Sequence, residues 1–197
     1  MTDQLRWDYL SCNGHPSIKT INIDKLAKGG IKFTSGYSSA STCTPTRYSF
    51  LTGTYAFRKK NTGIAPPNGP AIIKSGTETI ASMLKQAGYS TAVIGKWHLG
   101  LGGPSGPDWN GKLEPGPKEI GFDYSFLLPT TNDRVPQVYV EDHYVKDLDL
   151  NDPIWVGYKK PNENHPTGIS HRNTLRMNWN DGHNNTIHNG IGRIGFY

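Results

Sequence analysis

Apolar side chains recur at helical spacing in "TETIASMLKQAG", residues 77–88, the most regular stretch of the chain. The apolar stripe consists of Ile80, Met83, Leu84 and Ala87. This pattern predicts an amphipathic helix that has Thr77 as its N-cap and Gly88 just beyond its last turn. The apolar run "STAVIG" follows at once and predicts a short buried strand.

Further helices and strands are predicted on both sides of this segment. "IKTINIDKLAKGGIKFTSGYSS" predicts a helix that ends at Gly29-Gly30 and then a strand over "IKFTSGYSS". "TPTRYSFLTG" predicts a short helix closed by Gly53, and "YSFLLP" and "PQVYVED" predict strands. Helices that alternate with short apolar strands indicate a mixed α/β sheet with crossover helices.

Two segments lack such patterns. Residues 101–121 and 146–190 are rich in Gly, Pro, Asn or other polar residues, and we interpret both as loop-rich insertions. The chain ends at "IGRIGFY" without a helix cap or polar tail, and it begins without an apolar strand. We therefore expect the sheet to be incomplete, with the chain truncated at both ends.

Composition narrows the class of protein only a little. The chain has 197 residues, 35% hydrophobic and 19% charged, which suits a domain with a core. Its net charge of +5 comes from dispersed basic residues, so we expect no nucleic-acid partner. No apolar run approaches the roughly 20 residues of a membrane span. Cys12 and Cys43, the two cysteines, have neither disulfide-framework nor zinc spacing.

Cys43 occupies an unusual place in the predicted helix. Pro45 suits a first helical turn, so Cys43 lies at the helix N-terminus, where free N–H groups favour anions. Arg47 follows four residues later and rises on nearly the same side. The residues alone leave two interpretations: a nucleophile in an anion pocket, or a cysteine that packs as a small hydrophobe.

The segment "CTPTR", residues 43–47, followed by "LTGTYAFR", resembles the signature of the formylglycine-dependent sulfatases. The resemblance implies that Cys43 is converted to formylglycine (3-oxoalanine), whose hydrate is the nucleophile and a metal ligand. It implies that Arg47 steadies the formylglycine hydroxyls. A formylglycine-generating or anaerobic sulfatase-maturating enzyme is the implied partner.

"GKWHLG", residues 95–100, resembles a second sulfatase signature. Lys96 and His98 would share one face of an extended strand end. The resemblance implies that they bind the sulfate or assist the leaving group. Thr131 in "LLPTTNDRVP" resembles a hydroxyl residue that arylsulfatases place near the substrate. We expect most of the remaining histidines to lie at the surface: His143, His165, His171, His183 and His188.

The opening segment "DQLRWDYLSCNGHP" resembles the first metal-binding segment of the same family, usually Asp-Asp-Leu-Gly. Asp3 matches the first carboxylate, and Gln4 stands where the second Asp is commonest. Together with Cys43 they are the implied ligands of Ca²⁺, with Mg²⁺ as a second candidate. Asp24 is expected to be a helix residue rather than a ligand.

The resemblance implies an alkaline-phosphatase-like α/β fold, with residues 1–197 as the N-terminal portion of a single sulfatase catalytic domain. The implied reaction is hydrolysis of a sulfate ester on a small molecule or glycan. The later metal pair and the downstream lysine and histidine have no match in the sequence. No signal peptide is visible, and we expect the full-length protein to be periplasmic or secreted.

Two alternatives stay open at this point. A phosphonate or phosphate ester hydrolase of the same superfamily can carry a similar cysteine motif, and a screen on aryl sulfate and aryl phosphonate esters discriminates between the two. The chain is also compatible with a catalytically inactive fragment or a binding module, because metal ligands are missing. The flanking sequence of the full-length protein would separate these interpretations.

Overall fold

A computed structural model describes residues 1–3, 5–131, 134–151, 153–157, 185–188 and 191–194. The chain divides into two compact units, Met1–Ser38 and Ser39–Tyr197. No helix in the described ranges combines the length and apolar character needed to cross a membrane.

The first unit contains 3₁₀ turns at Trp7–Tyr9 and Ser11–Asn13 and the helix α1 at Ile21–Gly29. The carboxylate of Asp24 fixes α1 to the second turn: it accepts hydrogen bonds from the Ser11 hydroxyl at 2.6 Å and the Cys12 N–H at 3.0 Å. The Ser11 bond, above all, lowers the pKa of Asp24. Asp24 is thus a helix residue, as predicted.

The strand predicted over "IKFTSGYSS" is wrong, because residues 31–38 form turns and irregular backbone. Ile31 is 82% exposed and Phe33 is 78% exposed. An alternating segment becomes a strand only when a neighbouring strand satisfies its backbone groups, and the described part of this unit contains no strand.

The second unit begins with the helix α2, Cys43–Thr52, and the prediction of this short helix is confirmed. Gly53 ends it in the left-handed region at φ 65°, and its N–H donates to Ser49 O at 2.9 Å. Thr44, Tyr48 and Leu51 are buried at i, i+4 and i+7, so one face of α2 packs on the core. A 3₁₀ turn follows at Ala56–Arg58.

The helix α3 spans Ile80–Gln86, and its N-cap is Thr79 rather than the predicted Thr77. The Thr79 and Ser82 side chains each bond the other's backbone N–H, which forms a capping box. Gly88, at φ 86°, lies just past the helix as predicted. The predicted apolar stripe is not buried, since Met83 is 51% exposed while Ala81 is 2% exposed.

A four-stranded mixed sheet has the order β1-β2-β3-β4: Ala92–Lys96, Tyr124–Leu128, Val140–Glu141 and Tyr144–Val145. Strands β1 and β2 are parallel, and the other pairs are antiparallel. The strands predicted over "STAVIG", "YSFLLP" and "PQVYVED" are confirmed as β1, β2 and β3. Strand β1 is not buried as expected, because Ile94 is 73% exposed. A second, antiparallel sheet joins β5, β6 and β7: Trp155–Gly157, Asn185–His188 and Ile191–Ile194.

The predicted loop 101–121 packs on the sheet and contains a 3₁₀ turn at Lys118–Ile120. Within it Glu119 meets His143 of the β3–β4 turn at 2.8 Å, with both side chains about 15% exposed. His143 is therefore an exception to the expectation that most of these histidines lie at the surface. The interpretation of residues 146–190 as an insertion stays a prediction, because most of them lie outside the described ranges.

Candidate active site

The N-terminus of α2 brings three of the predicted site residues together. The ammonium of Lys96, the last residue of β1, donates to the Sγ atom of Cys43 at 3.0 Å. The guanidinium of Arg47 donates through Nη1 to the backbone oxygen of Lys96 at 2.6 Å. Two cations thus accompany a half-buried thiol in the first turn of a helix, where backbone N–H groups favour negative charge.

The parallel pair β1 and β2 determines what lies beside Lys96. Lys96 is in register with Leu128, so both strands end at the same edge of the sheet. Beyond the strands, Trp97 N–H donates to Leu128 O and His98 N–H donates to Pro129 O, both at 2.9 Å. The segments that carry His98 and Thr130 therefore leave the sheet side by side at its carboxyl edge, where α/β proteins place ligands.

His98 does not continue the strand, because its φ is 55°. The expectation that Lys96 and His98 share one face of an extended strand end is therefore wrong, because the backbone at His98 is not extended. The side chain is 3% exposed, and its Nε2 lies 3.1 Å from Ala65 O. The pKa of His98 is lowered, chiefly by burial and further by the positive charges of Lys96, Arg134 and Arg47. Its Nδ1 has no hydrogen-bond partner in the described part of the chain.

Thr44 connects α2 to the His98 segment. Its hydroxyl donates to His98 O at 2.8 Å and accepts from Ala65 N–H at 3.0 Å. Ala65 thus uses its N–H on Thr44 and its C=O on the His98 ring. The backbone of one residue in the loop after α2 holds two neighbours of the candidate nucleophile.

Two threonine hydroxyls follow the end of β2. Thr130 is 2% exposed, and Thr131, which the sequence singled out, is half-buried. The Oγ1 atoms of both are buried and find no hydrogen-bond partner among the residues that the structure describes. Buried hydroxyls are normally satisfied, so both are candidates for contact with a ligand.

The described structure does not test the three predicted metal ligands as a set. Asp3 is exposed in the first unit, Gln4 lies outside the described residues, and Cys43 belongs to the second unit. In the described ranges, no group of three or more His, Cys, Asp or Glu side chains is arranged to hold a metal ion. The Ca²⁺ ligand set stays a prediction, and we derive no chemical step through the ion.

Sequence reasoning missed Thr44, Ala65 and Thr130. A signal existed for Thr44, because it shares the i, i+4, i+7 face of α2 with Tyr48 and Leu51, and a buried hydroxyl needs partners. None existed for Ala65, whose contribution is entirely backbone. His165, His171 and His183 lie outside the described residues, and only the backbone of His188, in β6, is described.

Comparison with known proteins gives matches that all belong to one family. The sequence model of the family described as Sulfatase matches residues 1–165. An N-acetylgalactosamine-6-O-sulfatase of Bacteroides thetaiotaomicron is 49% identical over 98% of this chain. Arylsulfatase A of Homo sapiens is 37% identical over 68% of this chain and 25% of its own length.

One solved structure comes from work on the metabolism of multiple glycosaminoglycans by Bacteroides thetaiotaomicron. It superposes on 98% of this chain and over 40% of its own length, with a TM-score of 0.83 and 49% sequence identity. The predicted mixed α/β, alkaline-phosphatase-like fold class is confirmed. The chain spans 38% of the length of the N-acetylgalactosamine-6-O-sulfatase that it resembles.

Proposed function

Since the chain belongs to the sulfatase family, we propose that the protein hydrolyses sulfate esters, R–O–SO₃⁻ to R–OH and sulfate. The observation that carries this proposal is the contact of the Lys96 ammonium with the Cys43 thiol in the first turn of α2. A cation and the residue implied as nucleophile lie in one place, at a helix end that favours anions.

The charges near the site suit a sulfate ester. Lys96, Arg47 and Arg134 all act on the same imidazole, so three cations lie within electrostatic reach of His98. Negative charge spreads over the sulfate oxygens and the leaving oxygen as the ester bond breaks. Cations fixed before the reaction stabilise that charge without having to reorganise. We assign sulfate binding to Lys96 and Thr131, and support of the nucleophile to Arg47.

Cys43 is proposed as the position of formylglycine. The fit rests on its half-buried thiol, its place at the helix N-terminus and the ammonium beside it. Once formed, formylglycine would supply an aldehyde hydrate, with one hydroxyl to attack sulfur and a second whose collapse to the aldehyde would release sulfate. The surrounding residues orient position 43: the helix fixes the backbone, and the Lys96 ammonium donates a hydrogen bond to its side chain.

His98 is proposed as a proton acceptor and substrate contact. Ala65 O can only accept a hydrogen bond, so the imidazole Nε2 must carry a proton. Burial and three cations favour the neutral ring, in which Nδ1 has a free lone pair. Nδ1 of His98 is therefore the proposed acceptor of a proton from a hydroxyl of the side chain at position 43, and the Lys96 ammonium is the proposed contact of the sulfate oxygens.

Several parts of the proposal come from resemblance alone. Asp3, Gln4 and Cys43 are the proposed ligands of Ca²⁺, with Mg²⁺ as a second candidate. A formylglycine-generating or anaerobic sulfatase-maturating enzyme is the proposed partner, and a periplasmic or secreted location is proposed for the whole protein. Because a similar protein is named N-acetylgalactosamine-6-O-sulfatase, the proposed substrate class is a sulfated amino sugar or glycan.

Activity measurements on Lys96→Met test the proposal. The protein is produced with its natural flanking sequence in a host that forms formylglycine, and it is assayed on an aryl sulfate, an aryl phosphonate and 6-sulfated N-acetylgalactosamine. We expect sulfate release by the wild type and a loss of about 100-fold or more in kcat/KM for Lys96→Met, since a charge that stabilises the transition state is removed.

Lys74→Met is the matched control, because Lys74 is an exposed lysine of the same unit and has no part in the site. It is expected to keep wild-type activity. Faster cleavage of the phosphonate than of both sulfates, or equal activity of Lys96→Met and wild type, would contradict the proposal.

A further inference from the structure

Thr44, Ala65 and His98 form a closed cycle of hydrogen bonds beside the candidate nucleophile. Ala65 N–H donates to Thr44 Oγ1 at 3.0 Å, the Thr44 hydroxyl donates to His98 O at 2.8 Å, and His98 Nε2 lies 3.1 Å from Ala65 O. The three residues come from α2, the following loop and the segment after β1. The cycle therefore ties the imidazole to the helix that carries Cys43.

The Thr44 side chain is the part of this cycle that a substitution can remove. It is 0% exposed. Its hydroxyl donates its single proton to His98 O and accepts a hydrogen bond from Ala65 N–H. Valine has nearly the same shape but neither function, so Thr44→Val leaves a buried donor and a buried acceptor unsatisfied. Serine retains the hydroxyl and removes only a methyl group.

The backbone of His98 needs such support. A non-glycine residue at φ 55° is in the left-handed region, which costs about 1–2 kcal/mol. Two backbone contacts hold it there, the His98 N–H on Pro129 O at 2.9 Å and the Thr44 hydroxyl on His98 O. Loss of the second contact is expected to let the His98 backbone relax out of the left-handed region, which would change the orientation of the ring.

The same cycle determines which ring nitrogen carries the proton. Ala65 O accepts, so a neutral His98 has its proton on Nε2 and its lone pair on Nδ1. Ala65 O is in turn placed by the Ala65 N–H that Thr44 accepts. The Thr44 hydroxyl thus acts on the ring from both sides, through the His98 backbone and through the Ala65 peptide.

We propose that Thr44 is a positioning residue for His98: its hydroxyl holds the imidazole in the Nε2–H tautomer and presents Nδ1 as an acceptor to the substrate or to the side chain at position 43. Thr44 acts through other groups, because both hydrogen bonds of its hydroxyl are made to backbone atoms of Ala65 and His98. The part of this proposal that concerns turnover rests on the proposed sulfatase activity, whereas the part that concerns the tautomer does not.

The first experiment is therefore independent of activity. Long-range ¹H–¹⁵N correlation spectra of ¹⁵N-histidine-labelled protein report the tautomer of each ring, and His98→Gln assigns the His98 signals. We expect a single Nε2–H tautomer in the wild type, a mixture of tautomers in Thr44→Val, and the wild-type pattern in Thr44→Ser.

Thr62→Val is the matched control for these spectra. Thr62 is also buried, at 5% exposure, and its hydroxyl donates to the backbone oxygens of Ala56 and Lys59. This variant removes buried hydroxyl bonds in the same unit but is expected to leave the His98 signals unchanged. An Nδ1–H tautomer in the wild type, or equal spectra for Thr44→Val and wild type, would overturn the proposal.

The second experiment measures turnover against pH in the full-length protein, normalised to the aldehyde content at residue 43 determined by mass spectrometry. This normalisation separates poor conversion of Cys43 from poor catalysis. Thr44→Val is expected to lower kcat about 10–100-fold with little change in KM and to shift the acidic limb of the pH profile, because a displaced acceptor weakens proton transfer. Thr44→Ser is expected to restore both.

The two experiments fail in different ways. A tautomer that depends on Thr44 in a protein that releases no sulfate from any ester would contradict the proposed function and leave the positioning role supported. Sulfate release with equal kcat and equal pH profiles for Thr44→Val and wild type would overturn the positioning role and leave the function supported.

Discussion

His98 is the residue whose environment makes the clearest prediction at the scale of a single side chain. Burial and nearby cations lower its pKa, so the folded state disfavours the charged ring. The resulting contribution to stability is fully present above the unfolded pKa near 6.5 and is lost as the pH falls from there through the lower pKa of the folded state. Acidification is therefore expected to destabilise the protein partly through His98.

Thermal melts between pH 7.5 and 5.5 test this linkage. His98→Gln retains an amide N–H that can reach Ala65 O but cannot take up a proton in this range. We expect the melting temperature of the wild type to fall more steeply with pH than that of His98→Gln. Parallel curves for the two proteins would show that His98 titrates equally in the folded and unfolded states.

Site residues that lie inside a recognisable motif could be predicted from the sequence. The placement of Cys43 in the first turn of α2 was predicted from Pro45, and its proximity to Lys96 was expected from two quoted signatures. The role of Ala65 could not be predicted, because a backbone contribution leaves no mark on residue type. The left-handed backbone of His98 was missed for a related reason: left-handed backbone is normally signalled by glycine.

At the scale of elements, Gly121 shows how tightly α3 packs on the 3₁₀ turn at Lys118–Ile120. Its φ is 109°, and a Cβ atom there would collide with the backbone of Ser82 in α3. Gly121→Ala therefore combines backbone strain of about 1–2 kcal/mol with overpacking of about 1–3 kcal/mol. We expect chemical denaturation to show a loss of about 2–5 kcal/mol in the free energy of unfolding.

Gly76→Ala is the matched control for this substitution. Gly76 has a positive φ of 75° as well, but a Cβ atom there would meet nothing within 4 Å. Its expected loss is the backbone strain alone, about 1–2 kcal/mol. Equal losses for the two variants would show that α3 can move away from residue 121 at little cost.

The elements themselves were predicted unevenly, and packing explains the difference. The C-terminal end of α3 was predicted correctly, because Gly88 is a local signal for a left-handed residue. The N-cap was misplaced by two residues, because Thr77 and Thr79 are equally suitable and only Thr79 has Ser82 as its partner and Ile120 O as a further acceptor. The strand predicted after α1 does not form, because a strand needs a neighbouring strand to pair with. The residues of the segment do not show whether such a neighbour exists.

At the scale of the molecule, apolar surface is exposed along β1. This strand has β2 on one side, and the described residues provide no strand on the other. Ile94 of β1 is 73% exposed, and Met83 and Tyr89 are 51% and 63% exposed. An uncovered strand edge with apolar side chains favours association between copies. We expect the 197-residue chain on its own to associate in a concentration-dependent manner.

Light scattering on purified Ile94→Thr tests whether β1 is responsible. Threonine suits a strand and is polar, so the substitution is expected to reduce association while the circular dichroism spectrum stays unchanged. Ile64→Thr is the control, because Ile64 is 58% exposed but lies outside the helices and strands. A reduction by Ile64→Thr as large as that by Ile94→Thr would place the associating surface elsewhere.

The contact between α2 and the segment after β1 also determines when the segment that contains Cys43 can be buried during synthesis of the chain. Thr44 and His98 are 54 residues apart, so a chain under synthesis cannot bury the "CTPTR" segment until those residues have been added. At about 5–20 residues per second this interval is about 3–11 s. Any enzyme that must reach the Cys43 thiol in the open chain has at least those seconds, and a faster ribosome would shorten them.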